Sequence, residues 1–110
     1  MPVISGRVTG DSNGIFGSDF TMASNVHKQF NGSFSSAIPA FTAALSKAEF
    51  KDAEDLSGGY SLDQNATVGP TTLNLPLVND SGKKIVISGT LNPHLDKAYS
   101  VGGSGKWHSS

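Results

Sequence analysis

The stretch TTLNLPLVNDSGKKIVISGTL, residues 71–91, carries the strongest fold signal in the chain. Apolar and polar residues alternate along both halves of it, as they do in strands with one buried face. Residues 80–82 separate the halves and suit a three-residue turn in which Gly82 is left-handed. That register places Leu77 opposite Ile85 and Leu75 opposite Ile87. The sequence therefore predicts a β-hairpin with one apolar face.

The proline in the first strand of this hairpin restricts where the strand can lie. Pro76 has no backbone N–H to donate to a neighbouring strand. We therefore expect residues 71–78 to form an edge strand or to contain a bulge. Edge strands pair readily with other chains, so this segment is a candidate assembly interface.

Residues 37–56 are predicted to form the single helix. Apolar side chains recur there at the three- and four-residue spacing of one helix face. They are Ile38, Phe41, Leu45, Ala48 and Leu56. Ser35 or Ser36 would cap the start, and the two glycines at 58–59 would end it. Charged residues occupy the other face, so we expect this amphipathic helix to pack on a sheet.

Further strands are predicted on both sides of the helix, at residues 2–9, 15–23, 26–35 and 97–101. This order predicts an α+β, mainly β fold, with one antiparallel sheet or small barrel of about five or six strands and a single amphipathic helix packed on it. We assign residues 1–101 to a single globular domain. Residues 102–110 are rich in Gly and Ser and are predicted to be a mobile C-terminal tail.

The composition excludes several classes of function. The chain has 110 residues, a formal net charge of −1 and no cysteine. Nucleic-acid binding needs a basic face, and the only adjacent cations are Lys83 and Lys84. The lack of cysteine rules out a disulfide scaffold and thiol catalysis. The sequence shows neither a signal peptide nor an apolar run of membrane-spanning length, so we expect a cytoplasmic protein that binds neither nucleic acid nor membranes, with leaderless export or a removed leader as the alternatives.

No catalytic or metal-binding pattern stands out from the sequence. His27, His94 and His108 do not have the spacing of metal ligands. Residues 102–106 contain the glycines and the lysine of a phosphate loop without the spacing or the following helix that the loop requires. We therefore expect no cofactor, no metal and no catalytic residue, and we interpret the chain as a non-enzymatic ligand-binding module.

Aromatic and polar residues outside the hairpin favour carbohydrate as the ligand. Tyr and Trp offer flat surfaces with one polar atom, and loops rich in Asn, Asp, Ser and Gly supply hydrogen bonds on a rigid scaffold. The predicted ligand-binding residues are Tyr60, Asp63, Asn65, Tyr99, Trp107 and His108. For Trp107 a competing interpretation is burial over the core, because large aromatic side chains are usually buried. The leading prediction is a lectin-like module.

Two other functions stay open at this point. In the first, a small β-rich fold holds an apolar small molecule and acts as an isomerase or cyclase, with Asp19 or His27 as the acid or base. The pocket would be lined by Phe16, Phe20, Phe30, Phe34 and Phe41. In the second, the chain is a structural or assembly subunit that associates through the Pro76 strand or the helix. A homodimer is compatible with all three functions.

Overall fold

The alternation of apolar and polar residues extends along almost the whole chain and produces a nearly all-β fold. The computed structural model describes residues 2–22 and 25–109. Ten strands occur within those ranges. They are β1 (Val3–Gly10), β2 (Ile15–Thr21), β3 (His27–Phe34), β4 (Phe41–Glu49), β5 (Gly58–Leu62), β6 (Thr67–Val68), β7 (Thr72–Val78), β8 (Lys84–Thr90), β9 (Tyr99–Ser100) and β10 (Gly103–Ser109).

Eight of these strands close into an antiparallel barrel. Their order around the wall is β5-β10-β3-β2-β1-β4-β8-β7, and a pairing between β5 and β7 completes the ring. The short strand β6 pairs with β7 and with β9, outside the ring. Closure removes the exposed sheet edges that an open sheet would present.

The predicted helix at residues 37–56 is wrong, and the α+β class with it. The structure is 58% strand and 3% helix, and it forms an eight-stranded closed barrel plus extra strands. Phe41–Glu49 is strand β4. Within the described ranges, the only helical segment is a 3-10 turn at Ala53–Asp55.

A β-bulge explains why β4 resembles a helix in sequence. In a regular strand Phe41 and Ala48 would face opposite sides, because their spacing is odd. In the structure the register of β4 against β1 shifts between Ala43 and Ser46, so that one extra residue is accommodated. Phe41 and Ala48 therefore both point inward, whereas Leu45, at the bulge, is 81% exposed. The Ser46 hydroxyl donates to the Ala43 carbonyl at 2.6 Å across the bulge.

The hairpin of β7 and β8 is confirmed in its predicted register. Leu77 pairs with Ile85, and the next inward pair along the strands also matches. Gly82 has φ +79°, the left-handed conformation that the turn requires. The Asn79 side chain accepts hydrogen bonds from two backbone amides of this turn, one of them Lys83 N at 2.9 Å.

The edge position predicted for Pro76 is wrong. Strand β7 has β8 on one side and both β5 and β6 on the other. Pro76 lies where β5 has ended at Leu62 and β6 has not yet begun at Thr67, so no ladder partner is lost. Its carbonyl still accepts a bond from Asp63 N at 2.8 Å.

The remaining predicted strands are found in the structure, but the predicted C-terminal tail is not. Residues 2–9 correspond to β1, which extends one residue further to Gly10, and 15–23 and 26–35 contain β2 and β3, although Ala23 lies outside the described residues; 97–101 contains β9. The prediction of a mobile tail at 102–110 is wrong for residues 103–109. They form β10, which pairs with both β3 and β5 inside the barrel wall.

Inward-pointing side chains fill the barrel. Phe16 stacks on Phe34 with ring centroids 4.5 Å apart, and Phe30 lies 5.1 Å from the Trp107 ring. Leucines and isoleucines of β7 and β8 pack from the opposite wall. Gly6 also points inward, and a Cβ there would collide with the backbone of β2, so the two strands approach closely. Within the described ranges, no helix is long and apolar enough to cross a membrane.

Candidate functional site

Two of the predicted ligand-binding residues belong to the core. Tyr60 is 2% exposed and Trp107 is 5% exposed. The Tyr60 hydroxyl donates to the Asp55 carbonyl at 2.7 Å. Burial, and secondarily the Asp55 carboxylate, raise the pKa of Tyr60. Burial is therefore the better interpretation of Trp107, and neither ring offers a platform to a sugar.

Three other predicted residues lie together at one end of the barrel. Asp63 and Asn65 follow β5, and Tyr99 is half-buried on β9, which pairs with β6 just after them. The Tyr99 hydroxyl donates to Asp96 Oδ1 at 2.6 Å. This bond raises the pKa of Tyr99 and lowers the pKa of the Asp96 carboxyl. The sixth predicted residue, His108, lies on β10 towards the opposite end, so the predicted set does not converge.

Polar side chains instead gather on the outer surface of β1, β2, β3, β10 and β5, here called the polar wall. The strand registers align its outward-facing residues in two rows that cross the strands. One row is Arg7, Asp19, Gln29 and His108. The other row is Thr9, Gly17, Asn31, Lys106 and Gly59. Neighbouring strands lie about 4.8 Å apart, so the first row forms a continuous band of donors and acceptors, whereas two glycines interrupt the second row.

The two glycines in the second row leave depressions on either side of Asn31, together called the Asn31 groove. The first depression, of about 310 Å³, includes Gly17, Asp19 and Arg7. The second, of about 460 Å³, includes Gly59, Lys106 and His108, with Asn79 and Asp80 of the β7–β8 turn. The Asn31 side chain leans towards Gly17, where an added Cβ would lie 2.9 Å from its Oδ1.

The charges of the groove are only partly paired. The imidazole Nδ1 of His27 donates to Asp19 Oδ1 at 3.1 Å, and both side chains are roughly half exposed. None of the three ion pairs formed within residues 2–22 and 25–109 involves Arg7 or Lys106. The groove therefore combines amides, a carboxylate and open cations, which can donate to and accept from the hydroxyls of a ligand.

A larger depression, of about 680 Å³, lies on the outer face of β1, β4, β8 and β7. Short polar side chains form much of it, including Ser5, Asn74, Ser88 and Thr90. The exposed Leu45 separates it from a smaller depression of about 370 Å³. This surface is called the Leu45 face.

The phenylalanines predicted for an apolar pocket and its predicted acid or base lie on opposite sides of the barrel wall. The phenylalanines predicted to line a pocket are all buried in the packed core. Asp19 and His27 project from the outer face of the wall and so do not meet those rings. His27 and His94 lie near opposite ends of the barrel. Within the described part of the chain, no group of three or more His, Asp or Glu side chains could hold a metal ion.

Sequence reasoning missed most of the Asn31 groove. Arg7, Gln29, Asn31 and Lys106 are polar residues at alternate positions of strands, a pattern equally typical of any solvated sheet face. Only the pairing of β10 with β3 brings Lys106 beside Asn31, across more than seventy residues of sequence. The available signal was the alternation within residues 103–109, which the high glycine and serine content obscured.

Comparison with protein-family models, with curated proteins and with solved structures gave no match. The function is therefore argued from the geometry of the barrel and its surface.

Proposed function

We propose that the chain is a non-enzymatic carbohydrate-binding module whose site is the Asn31 groove. The observation that carries this proposal is the convergence of amide, carboxylate and cationic side chains at adjacent register positions of a closed barrel. Sugar hydroxyls need donors and acceptors at fixed spacing, and a barrel wall holds its side chains more rigidly than loops do.

Within the groove, Asn31 is the central contact. Its amide supplies both a donor and an acceptor, and it borders both depressions. Gly17 and Gly59 leave room for sugar rings on either side. At the borders of the groove, the Asp19 carboxylate adds an acceptor and the His108 imidazole adds its ring nitrogens. Because Tyr60, which borders the second depression, is only 2% exposed, hydrogen bonds rather than stacking on that ring would dominate binding.

A glycan-array screen of labelled protein tests the proposal. The Asn31→Ala variant removes the central amide, and Asn65→Ala is the matched control, because Asn65 is an exposed asparagine beyond the lining of both depressions. We expect binding to a defined glycan set that Asn31→Ala weakens about tenfold or more, while Asn65→Ala retains it. A blank array at concentrations where multivalent weak binding registers would refute the proposal.

The Leu45 face supports a second candidate function, self-assembly into a homodimer. Leu45 is 81% exposed and stands between two depressions. The only charged side chain among the residues that line them is Lys47, whose ammonium lies 3.4 Å from Glu49. The centres of interfaces contain few charged residues. Because a two-fold interface uses the same surface of both subunits, that surface must carry both a protruding side chain and the depression that receives it.

Sedimentation velocity over a hundredfold concentration range tests this second candidate. We expect a dimer that Leu45→Ser dissociates and that the control Ile15→Ser leaves intact, because Ile15 is exposed on β2, away from the Leu45 face. A monomer at all concentrations would eliminate the homodimer.

A further inference from the structure

Two cations that border the Asn31 groove form no ion pair with a carboxylate in the part of the chain that the structure describes. Arg7 lies in the first depression and Lys106 in the second. Neither takes part in an ion pair formed within residues 2–22 and 25–109. The two depressions also hold one carboxylate each, Asp19 and Asp80, so their formal charge is balanced although the two cations form no ion pair within residues 2–22 and 25–109.

The carboxylate nearest to Arg7 along the wall is engaged elsewhere. Asp19 is the direct cross-strand partner of Arg7, and both face outward. Opposite charges in this position usually pair across the strands. Here Asp19 Oδ1 accepts from His27 instead, at 3.1 Å. The planar guanidinium of Arg7, which can bind a carboxylate through two parallel hydrogen bonds, is left open towards the first depression.

The second depression is less suited to a carboxylate. Lys106 lies beside Gly59, with its Cγ 4.0 Å from the place where a Cβ would stand. Each depression has one carboxylate, but Asp19 in the first is bonded to His27, whereas Asp80 in the second is in none of the ion pairs within residues 2–22 and 25–109 and would repel an anion more strongly. We therefore expect Lys106 to donate hydrogen bonds to ligand hydroxyls and to attract an acidic ligand at long range. Three interstrand spacings, about 14 Å, separate the strands of Arg7 and Lys106, and Asn31 lies between them.

We propose that the Asn31 groove binds acidic oligosaccharides, with a ligand carboxylate held by Arg7 and the following sugar rings by Asn31 and Lys106. This inference rests on the proposed carbohydrate-binding function and specifies its ligand class as glycans that contain uronic acids. A neutral sugar at Arg7 would offer no carboxylate to the guanidinium, whereas a uronate supplies one.

Titration with a galacturonic-acid oligomer, a neutral galactose oligomer of the same length and polyglutamate tests this assignment. We expect the uronate to bind at least about tenfold more tightly than the neutral oligomer. We also expect its affinity to fall as salt is raised. Arg7→Gln should abolish this preference. Arg7→Lys should retain part of it, because lysine keeps the positive charge but cannot form the two parallel hydrogen bonds of a guanidinium. Lys97→Gln, at an exposed lysine that lines neither depression, is the control of equal charge change. Thermal unfolding checks that each variant is folded.

The other outcomes separate the two proposals. Equal binding of neutral and acidic oligomers, or no effect of Arg7→Gln, would overturn the uronate assignment and leave carbohydrate binding standing. Binding of polyglutamate as tightly as the uronate would show attraction by charge alone and overturn the uronate assignment; if the neutral oligomer also fails to bind, carbohydrate binding is overturned as well. Binding of none of these oligomers, together with a blank glycan array, would also overturn both.

Discussion

At the scale of single residues, burial decides what the aromatic side chains do. Tyr60 and Trp107 lie in segments rich in Gly and Ser, which made them candidates for a sugar platform. In the fold each ring points into the barrel from a strand, and the neighbouring glycines belong to the strands that form the barrel wall. The Nε1 of Trp107 is buried without a hydrogen-bond partner among the described residues, so the indole serves mainly to fill volume.

The Tyr60 hydroxyl gives stability a dependence on alkaline pH. Tyr60→Phe removes the 2.7 Å bond to Asp55 O and is expected to cost about 1 kcal/mol near neutral pH. Because the pKa of Tyr60 is raised in the folded chain, its contribution is complete below the ordinary tyrosine value of 10.0 and is lost as pH rises through the folded value. Denaturant unfolding from pH 7 to 12 should therefore show a shallower alkaline loss for Tyr60→Phe. Equal slopes for both proteins would contradict this account.

Gly17 controls the position of Asn31 without being part of the core. An alanine Cβ there would lie 2.9 Å from Asn31 Oδ1, the far end of a flexible side chain. We expect Gly17→Ala to displace the amide and weaken glycan binding as much as Asn31→Ala, with little change in the melting temperature. Full binding by Gly17→Ala would show that the position of the Asn31 amide is not important.

At the scale of elements, the chain divides into parts that could be predicted from sequence and parts that could not. The hairpin of β7 and β8 was predictable to the register, because alternation, turn chemistry and a left-handed glycine all agree. Strand β4 was not predictable. Its bulge places residues at an odd spacing, Phe41 and Ala48, on the same face, and the resulting pattern resembles helical periodicity. The Asn31 groove could not be predicted either, since it exists only through the pairing of distant strands.

A matched pair of leucines tests the assignment of residues 41–49 to a bulged strand. In the predicted helix Leu45 would be a core residue, whereas in the barrel it is 81% exposed. At concentrations low enough for the chain to be monomeric, we expect Leu45→Ala to change the unfolding free energy by about 0.5 kcal/mol or less. Leu75→Ala, at a fully buried position of β7, should cost about 2–5 kcal/mol. Similar large losses for both variants in chemical denaturation would favour the helix.

At the scale of the whole molecule, the barrel depends on its last strand. Strand β10 lies between β3 and β5, so the ring closes only when the C-terminal residues pair. The closed wall both packs the phenylalanines inside and brings Lys106 beside Asn31 outside. The same strand therefore serves the core with one face and the candidate site with the other.

Adjacent residues of β10 test this division between faces. Trp107→Ala should cost about 3–5 kcal/mol, because it empties a packed interior. His108→Ala, one residue further along and exposed, should leave the unfolding free energy within about 0.5 kcal/mol. Denaturant titration followed by circular dichroism measures both. Equal and small effects would mean that residues 103–109 do not close the barrel.

The most direct test of the central claim is to map the bound surface by NMR. The ¹⁵N-labelled protein is titrated with a glycan that binds on the array, and the amide shifts are followed residue by residue. We predict the largest changes at Gly17, Asn31, Gly59 and Lys106, across the polar wall. Changes confined to residues 63–66 and Tyr99, or to the Leu45 face, would contradict the assignment of the Asn31 groove as the carbohydrate site.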